Sequence, residues 1–231
     1  MRIAEIFHSI QGEGKLAGVP SVFLRTSGCN LRCTWCDTPY ASWDPQGPDL
    51  TLDAIAEKIL AFHCTHAVLT GGEPLMFKDL PALVARLRQA GLHITIETAG
   101  TLWQDLDIDL ASVSPKLANS TPWQRDNGKF AQMHEAHRIN LPVLQTFATS
   151  PRVREIQWKF VLSAPEDLAE IQSLLHQIGN VSPSNVLLMP EGITHEAITT
   201  RGQWIADLCK QHGYRFGPRL HISLYGNTKG T

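Results

Sequence analysis

The chain has 231 residues, of which 43% are apolar and 18% are charged, and its formal net charge is −2. This composition supplies enough apolar side chains for a sizeable core and argues against disorder. The near-neutral charge argues against nonspecific nucleic-acid binding, and no apolar run approaches the ~18 residues of a membrane span. Glu5, His8 and Gln11 interrupt the stretch that a signal peptide needs to be apolar. We therefore expect a cytoplasmic protein that binds neither nucleic acids nor membranes.

The predicted strands are six short apolar or β-branched runs that end in small or polar residues. They cover residues 21–26, 66–70, 93–98, 110–114, 155–162 and 185–190. Four segments between or after them carry apolar residues at helical spacing. Thr51 is the predicted N-cap of the first helix, Gly91 ends the second, and Pro165 belongs to the first turn of the third. The fourth runs from about His195 to His212.

Strands that alternate with helices are typical of βαβ units on a parallel sheet. The strand starts recur about every 33 residues, which matches the ~30 residues or more of one such unit. A complete eight-unit barrel typically needs ~250 residues. We therefore predict an α/β fold, a single-domain incomplete TIM-like barrel with about six parallel βα units over residues 1–231. Glycine-rich and polar segments follow the strands, and ligand sites lie at the carboxyl ends of parallel strands.

Three of the five cysteines, Cys29, Cys33 and Cys36, fall within eight residues with the spacing C-x3-C-x2-C. An odd number of cysteines without a secretory signal argues against a disulfide framework. A structural zinc site would need a distant fourth ligand, for example Cys64 or His66. An ordinary [4Fe–4S] electron carrier uses four cysteines. A cubane held by three cysteines would leave one iron free to bind a small molecule, and the count of three favours this interpretation.

The cysteine motif, with Trp35 before its last cysteine, resembles the radical S-adenosylmethionine (SAM) superfamily. The segment Thr70-Gly71-Gly72-Glu73-Pro74 follows the second predicted strand, where that superfamily has a Gly-Gly-Glu element that contacts the cofactor. The resemblance implies a [4Fe–4S] cluster whose open iron binds SAM. It also implies that an electron from the cluster cleaves SAM and gives a 5′-deoxyadenosyl radical that abstracts hydrogen from a substrate.

Further segments resemble one family in that superfamily, the 7-carboxy-7-deazaguanine synthases. The resemblance covers nearly the whole chain and is weakest between residues 119 and 154. It implies that 6-carboxy-5,6,7,8-tetrahydropterin becomes 7-carboxy-7-deazaguanine with loss of ammonia, on the route to queuosine, with SAM regenerated and Mg²⁺ assisting. The matching segments are 5–14, Arg25, 36–38, 70–74, 97–98, 114–116 and 224–230.

The same resemblance implies the roles of individual residues. The cluster ligands are Cys29, Cys33 and Cys36. The residues expected to line the SAM site are Trp35, Cys36, Asp37, Gly72, Ser114, Pro115, Lys116, Met189, Pro190, Glu191 and Gly192. The residues expected to hold the pterin are Ile10, Gln11, Gly12, Arg25 and Thr70, and Thr38 is expected to bind Mg²⁺.

Elementary chemistry agrees with two of these roles. Arg25 offers a planar fork of donors to a carboxylate, and an arginine on a buried strand needs a charged partner. Thr38 supplies an oxygen, the ligand type that Mg²⁺ prefers. Glu13 and Glu97 could accept hydrogen bonds from pterin amines, and neither is assigned.

The other histidines and cysteines are predicted to have no role in the chemistry. We expect surface positions for His63, His66, His134 and His137, and buried thiols at Cys64 and Cys209.

The resemblance implies a homodimer, and a flavodoxin or ferredoxin is expected as electron donor. One alternative is a radical SAM activating enzyme that makes a glycyl radical on a partner protein. Another is a zinc-stabilised binding module without catalysis.

Overall fold

The computed structural model describes residues 1–231, and all eight strands form one sheet in the order in which they occur along the chain. Strands β2 to β8 are parallel, and β1 pairs with β2 in the antiparallel direction. The two edge strands do not pair with each other, so the predicted partial barrel is confirmed. The strands are β1 (Ile3–Ile10), β2 (Pro20–Thr26), β3 (His66–Gly71), β4 (His93–Thr98), β5 (Ile108–Val113), β6 (Val153–Leu162), β7 (Val186–Pro190) and β8 (Arg215–Phe216).

Eight α-helices connect or follow the strands, and none has the length and apolar character that crossing a bilayer requires. The predicted ends of two helices are confirmed. Thr51 accepts a hydrogen bond from Ala54 N, and α7 ends at His212, where Gly213 takes the left-handed conformation. The helices are α1 (Pro39–Ser42), α2 (Leu52–Leu60), α3 (Leu80–Gln89), α4 (Ala131–His137), α5 (Leu141–Thr149), α6 (Asp167–Ile178), α7 (His195–His212) and α8 (Leu220–Tyr225).

Helix α6 begins later than predicted, because Pro165 precedes the first helical residue, Asp167. The Asp167 carboxylate accepts hydrogen bonds from Ser163 N at 2.7 Å and Ala164 N at 3.0 Å. These bonds hold the preceding residues in a turn, so Pro165 lies in that turn.

The connection between β4 and β5 contains no helix. Its own apolar side chains cover the sheet instead, with Leu106 buried and Trp103 partly buried against the core. The Trp103 ring meets the Phe147 ring of α5 edge to face, with the centroids 4.8 Å apart. A helix from the next connection therefore packs over this gap.

Strand β1 is the main element that the sequence analysis did not predict. Its residues do not alternate cleanly between buried and exposed, because Ile3 joins the core whereas Glu5 and Phe7 face an internal cavity. The antiparallel pairing places Ile10 beside Pro20, at the amino end of β2. The segment after β1 therefore enters the barrel from the end opposite the cysteine loop.

Candidate active site

One cavity of about 290 Å³ occupies the inside of the open barrel. It starts at the carboxyl ends of the parallel strands and continues along their inner faces to Gln11 near the opposite end. Two predicted site residues, Pro115 and Pro190, are buried but do not line it. The others do: Ile10, Gln11, Gly12, Arg25, Cys29, Cys33, Trp35, Cys36, Asp37, Thr38, Thr70, Gly72, Ser114, Lys116, Met189, Glu191 and Gly192.

The cysteine loop follows β2 and turns its three thiols toward this cavity. Leu31 N donates a hydrogen bond to Cys29 Sγ at 3.4 Å, and Cys36 Sγ lies 3.1 Å from Ser42 Oγ. Cys33 is buried in a small apolar cluster with Leu31. Burial raises the pKa of Cys29 and of Cys33 to about 12, so both are protonated thiols until a metal displaces the protons.

These residues suit an iron–sulfur cluster held by three thiolates. The remaining two cysteines lie outside the cavity: Cys64 donates a hydrogen bond to Pro20 O, and Cys209 is buried on α7. No group of three His, Cys, Asp or Glu side chains is placed as the ligands of one metal ion. A four-iron cluster is a different case, because each cysteine binds a different iron. The apolar surroundings and the backbone donor to Cys29 are features that tune such clusters.

The segment after β3 packs directly against the cysteine loop. Glu73 N donates to Gly28 O at 2.8 Å, and Gly28 N donates to Ala41 O at 2.8 Å. The Glu73 carboxylate is fully buried and accepts hydrogen bonds from Leu75 N, Ala99 N and Thr98 Oγ1. Burial raises its pKa above the ordinary value. Glu73 therefore ties the ends of β3 and β4 together beneath the loop.

Two segments after β5 and β7 form the wall beside the cysteine loop. Lys116 Nζ donates to Ser114 Oγ at 2.8 Å and lies 5.7 Å from the centre of the Trp35 ring. Met189 is buried in the wall, and Glu191 pairs with Arg201 at 3.1 Å. The predicted SAM-site residues thus come from the carboxyl ends of four strands, β2, β3, β5 and β7, which meet at one end of the sheet.

The inner strand faces supply a second group of polar residues. Arg25 Nε donates to Glu5 Oε1 at 2.6 Å, which gives the partly buried arginine the charged partner that it needs. Glu97 accepts hydrogen bonds from Gln11 Nε2 at 3.2 Å and from Thr70 Oγ1 at 3.0 Å. The stacked rings of Phe7 and Phe23, 4.9 Å apart, line the cavity nearby.

A buried ionic network joins the two groups, and the sequence analysis missed two of its members. Lys159 Nζ lies 2.6 Å from Glu13 Oε2 and 3.6 Å from Glu97 Oε1. Arg219 Nε donates to Glu13 Oε1 at 3.1 Å, and its other nitrogens donate to Asp37 and to Gly192 O. Arg219 therefore links a residue near the predicted pterin site to two residues near the predicted SAM site.

Comparisons with known proteins identify the family. The radical SAM superfamily profile matches residues 23–114. The 7-carboxy-7-deazaguanine synthase of Halobacterium salinarum is 46% identical over 99% of this chain and 92% of its own length. That of Rhodopirellula baltica is 42% identical over 99% of this chain and 88% of its own. The chain belongs to the 7-carboxy-7-deazaguanine synthase family.

A solved structure of the same kind supports this assignment. The crystal structure of QueE from Escherichia coli superposes with a TM-score of 0.66 at 26% identity, and the match covers 95% of this chain and 94% of that one. The family assignment accounts for the open barrel and for three cysteines at one end of it.

Gly72 provides a test of the contact between the Gly-Gly-Glu segment and the cysteine loop. A Cβ atom at Gly72 would lie 2.1 Å from Gly28 O and 2.5 Å from Ala41 O. We expect Gly72→Ala to push the two backbones apart, to destabilise the protein by about 1–3 kcal/mol and to lower its iron content after reconstitution. The control is Gly202→Ala, whose Cβ would meet nothing closer than 3.6 Å. Equal iron content and equal urea midpoints for both variants would contradict the contact.

The charge of Glu13 predicts how stability depends on pH. Burial alone would raise the pKa of Glu13, but Lys159 and Arg219 hold it well below its usual range. The ionised Glu13 carboxylate therefore contributes its full stabilisation of the folded protein above about pH 4.3, its pKa in the unfolded chain. This contribution is lost as the pH falls toward the lower pKa of Glu13 in the folded protein. We expect urea unfolding of the cluster-free chain to lose about 2 kcal/mol from this group between about pH 6 and pH 2. Glu13→Gln should flatten that dependence, and an equally steep curve would contradict the pairing.

Two predictions about the histidines and cysteines outside the proposed chemistry were wrong. His134 was predicted to lie on the surface, but its side chain is completely buried, because α4 packs over the cysteine loop. Cys64 was predicted to be buried, but it is half-buried in the connection from α2 to β3. His63 and His137 are exposed as predicted, His66 is half-buried, and Cys209 is buried.

The other residues that the sequence analysis missed lie near the C-terminus and on α1. His221, Tyr40 and the segment 227–231 line the cavity, and Leu220 N donates to Gly12 O at 2.8 Å. The resemblance of residues 224–230 to other family members was the available signal. It did not indicate that the chain returns to the barrel interior.

Proposed function

We propose that this protein catalyses the radical ring contraction of 6-carboxy-5,6,7,8-tetrahydropterin to 7-carboxy-7-deazaguanine, with release of ammonia and with SAM used catalytically. The observation that carries the proposal is one cavity that holds three thiols at one end and a charged, hydrogen-bonding pocket at the other. The full-length similarity to named synthases supports the same substrate and reaction.

At the cysteine end we assign Cys29, Cys33 and Cys36 as the cluster ligands. When bound, the cluster and SAM together supply the radical that abstracts hydrogen. Trp35, Asp37, Gly72, Ser114, Lys116, Met189, Glu191 and Gly192 line the space for SAM. Pro115 and Pro190 lie behind that wall, so we propose that they only shape the backbone of their segments.

At the inner end we assign the pterin to the pocket formed by Ile10, Gln11, Gly12, Arg25 and Thr70. The Arg25 guanidinium uses Nε for Glu5, so both of its terminal nitrogens can donate to the substrate carboxylate. Glu97 already accepts from Gln11 and Thr70 and can accept from a pterin amine. Together these residues would fix the ring so that one carbon faces the cysteine end.

We assign Mg²⁺ to Thr38, with the substrate carboxylate and water as further ligands. Thr38 lines the cavity, and the one hydrogen-bond partner of its hydroxyl is distant, with Cys36 Sγ at 3.8 Å. A hydroxyl oxygen is a suitable ligand for this hard cation.

The remaining assignments concern the setting of the reaction. We propose a flavodoxin or ferredoxin as electron donor, a homodimer, and one functional domain over residues 1–231. The cytoplasm is the compartment that suits five free cysteines and a reduced cluster.

The test combines reconstituted protein, SAM, a chemical reductant and the carboxypterin under anaerobic conditions, with and without Mg²⁺. We expect 7-carboxy-7-deazaguanine and ammonia in equal amounts, at a higher rate with Mg²⁺, and no net loss of SAM. Cleavage of SAM without ammonia would contradict the proposal and would point to the activating-enzyme alternative, which the full-length synthase relatives do not favour. A colourless protein with stoichiometric zinc would contradict both.

A further inference from the structure

The residues on either side of Cys33 are both held by the connection from β5 to β6. Arg32 N, just before Cys33, donates a hydrogen bond to His134 Nδ1 at 3.0 Å. Thr34 N, just after Cys33, donates to Ser120 O at 2.8 Å. Both flanking N–H groups are therefore bound by residues that lie far away in the sequence.

His134 and Ser120 also hold each other in place. Because His134 Nδ1 accepts from Arg32, the neutral ring carries its proton on Nε2 and donates it to Ser120 Oγ at 2.9 Å. Ser120 Oγ in turn donates to Leu117 O at 2.6 Å. Both side chains are completely buried, so water does not compete for these bonds.

We propose that His134 is a positioning residue for the iron–sulfur cluster. Together with Ser120 it fixes the backbone on both sides of Cys33 and thereby directs that thiol toward the cavity. The proposal rests on the proposed function in one respect, namely that Cys29, Cys33 and Cys36 hold the cluster. The role of His134 goes beyond the proposed function, because no feature of the cysteine motif itself requires a histidine.

The hydrogen bonds around His134 and Ser120 also extend to the wall of the SAM space. Ser120 Oγ donates to the carbonyl of Leu117, which directly follows Lys116. Arg138, the residue just after α4, donates a hydrogen bond to Lys116 O at 3.1 Å. A change at His134 should therefore disturb both the cluster and the binding of SAM to it.

The test uses three variants of the full chain, each reconstituted anaerobically. His134→Leu removes the acceptor and leaves Arg32 N–H buried and unpaired. His134→Asn keeps an oxygen near the position of Nδ1, and His137→Leu makes the same change on an exposed residue of the same helix. We measure the rate at which an iron chelator removes the cluster, and the EPR spectrum of the reduced cluster with and without SAM.

We expect His134→Leu to lose iron about tenfold faster than the unmodified protein. A tenfold change corresponds to the lower part of the range of free-energy costs for leaving a buried N–H group unpaired. Its EPR response to SAM should be altered, His134→Asn should restore most of both properties, and His137→Leu should match the unmodified protein. Normal iron loss and a normal spectrum in His134→Leu would overturn the proposal. Equal defects in the Asn and Leu variants would overturn it as well.

Ser120→Ala keeps the proposal testable if His134→Leu does not fold. It removes only the hydroxyl that orients the His134 ring, and we expect iron loss to become several-fold faster; an unchanged rate would overturn the proposal. If the unmodified protein takes up no cluster, the proposed function fails. If it takes up the cluster and all variants behave alike, only the role of His134 fails.

Discussion

Cys33→Ala is expected to abolish SAM cleavage and product formation. Cys33 is the middle ligand of the motif, it is buried in the small apolar cluster at the end of the cavity, and neither of the two cysteines outside the motif lines the cavity. No other thiol is therefore in place to take over its iron. The measurement is iron and sulfide content after reconstitution, together with the rate of SAM cleavage.

The matched control for this variant is Cys209→Ala. Cys209 is also buried, but it lies on α7 and packs into the main core. We expect the control to keep normal iron content and activity, with a modest loss of stability of about 1 kcal/mol from the smaller side chain. Normal activity in Cys33→Ala, or equal loss in both variants, would contradict the assigned ligands.

Arg219→Met is expected to have the second largest effect. Arg219 is buried and donates to Glu13, Asp37 and Gly192 O, so its removal leaves two carboxylates without a shared partner. Breaking a buried ion pair from one side costs about 3–5 kcal/mol. We expect a loss of that size in the free energy of urea unfolding. We also expect SAM to bind about tenfold more weakly, a loss equivalent to one hydrogen bond, because Asp37 and Gly192 line the space for SAM and lose the arginine that holds them.

Two controls separate the effect of breaking the Arg219 ion pairs from the effect of losing one positive charge. Arg215→Met removes an exposed arginine of β8 and should change the unfolding free energy by less than about 0.5 kcal/mol. Arg219→Lys keeps the charge but loses the planar fork, so it should recover only part of the stability. Equal stability of Arg219→Met and Arg215→Met would contradict the role of the network.

The sequence predicted the parallel strands and the cysteine end well, because both depend on local pattern. The runs at 93–98 and 185–190 lie within one residue of the observed strands, and the glycine and cysteine segments follow strands directly. Strand β1 was missed because an edge strand that faces a polar cavity does not show the simple alternation of a half-buried strand.

The residues that complete the site could not be predicted from local pattern, because their partners are far away in the sequence. Arg219 is 206 residues from Glu13, and His134 is 102 residues from Arg32. Histidine is intermediate in its tendency to be buried, so a lone histidine in a polar segment does not by itself indicate burial. The burial of His134 follows from the way α4 folds over the cysteine loop, which only the tertiary structure reveals.

Three protein thiolates are expected to leave one iron of the cluster open to SAM. The most direct measurement is the EPR spectrum of the reduced cluster, recorded before and after addition of SAM labelled with ¹⁵N or ¹⁷O at its amino and carboxylate groups. We predict a shifted spectrum and hyperfine coupling from the label. A spectrum that is identical with and without SAM, with no coupling, would contradict the account.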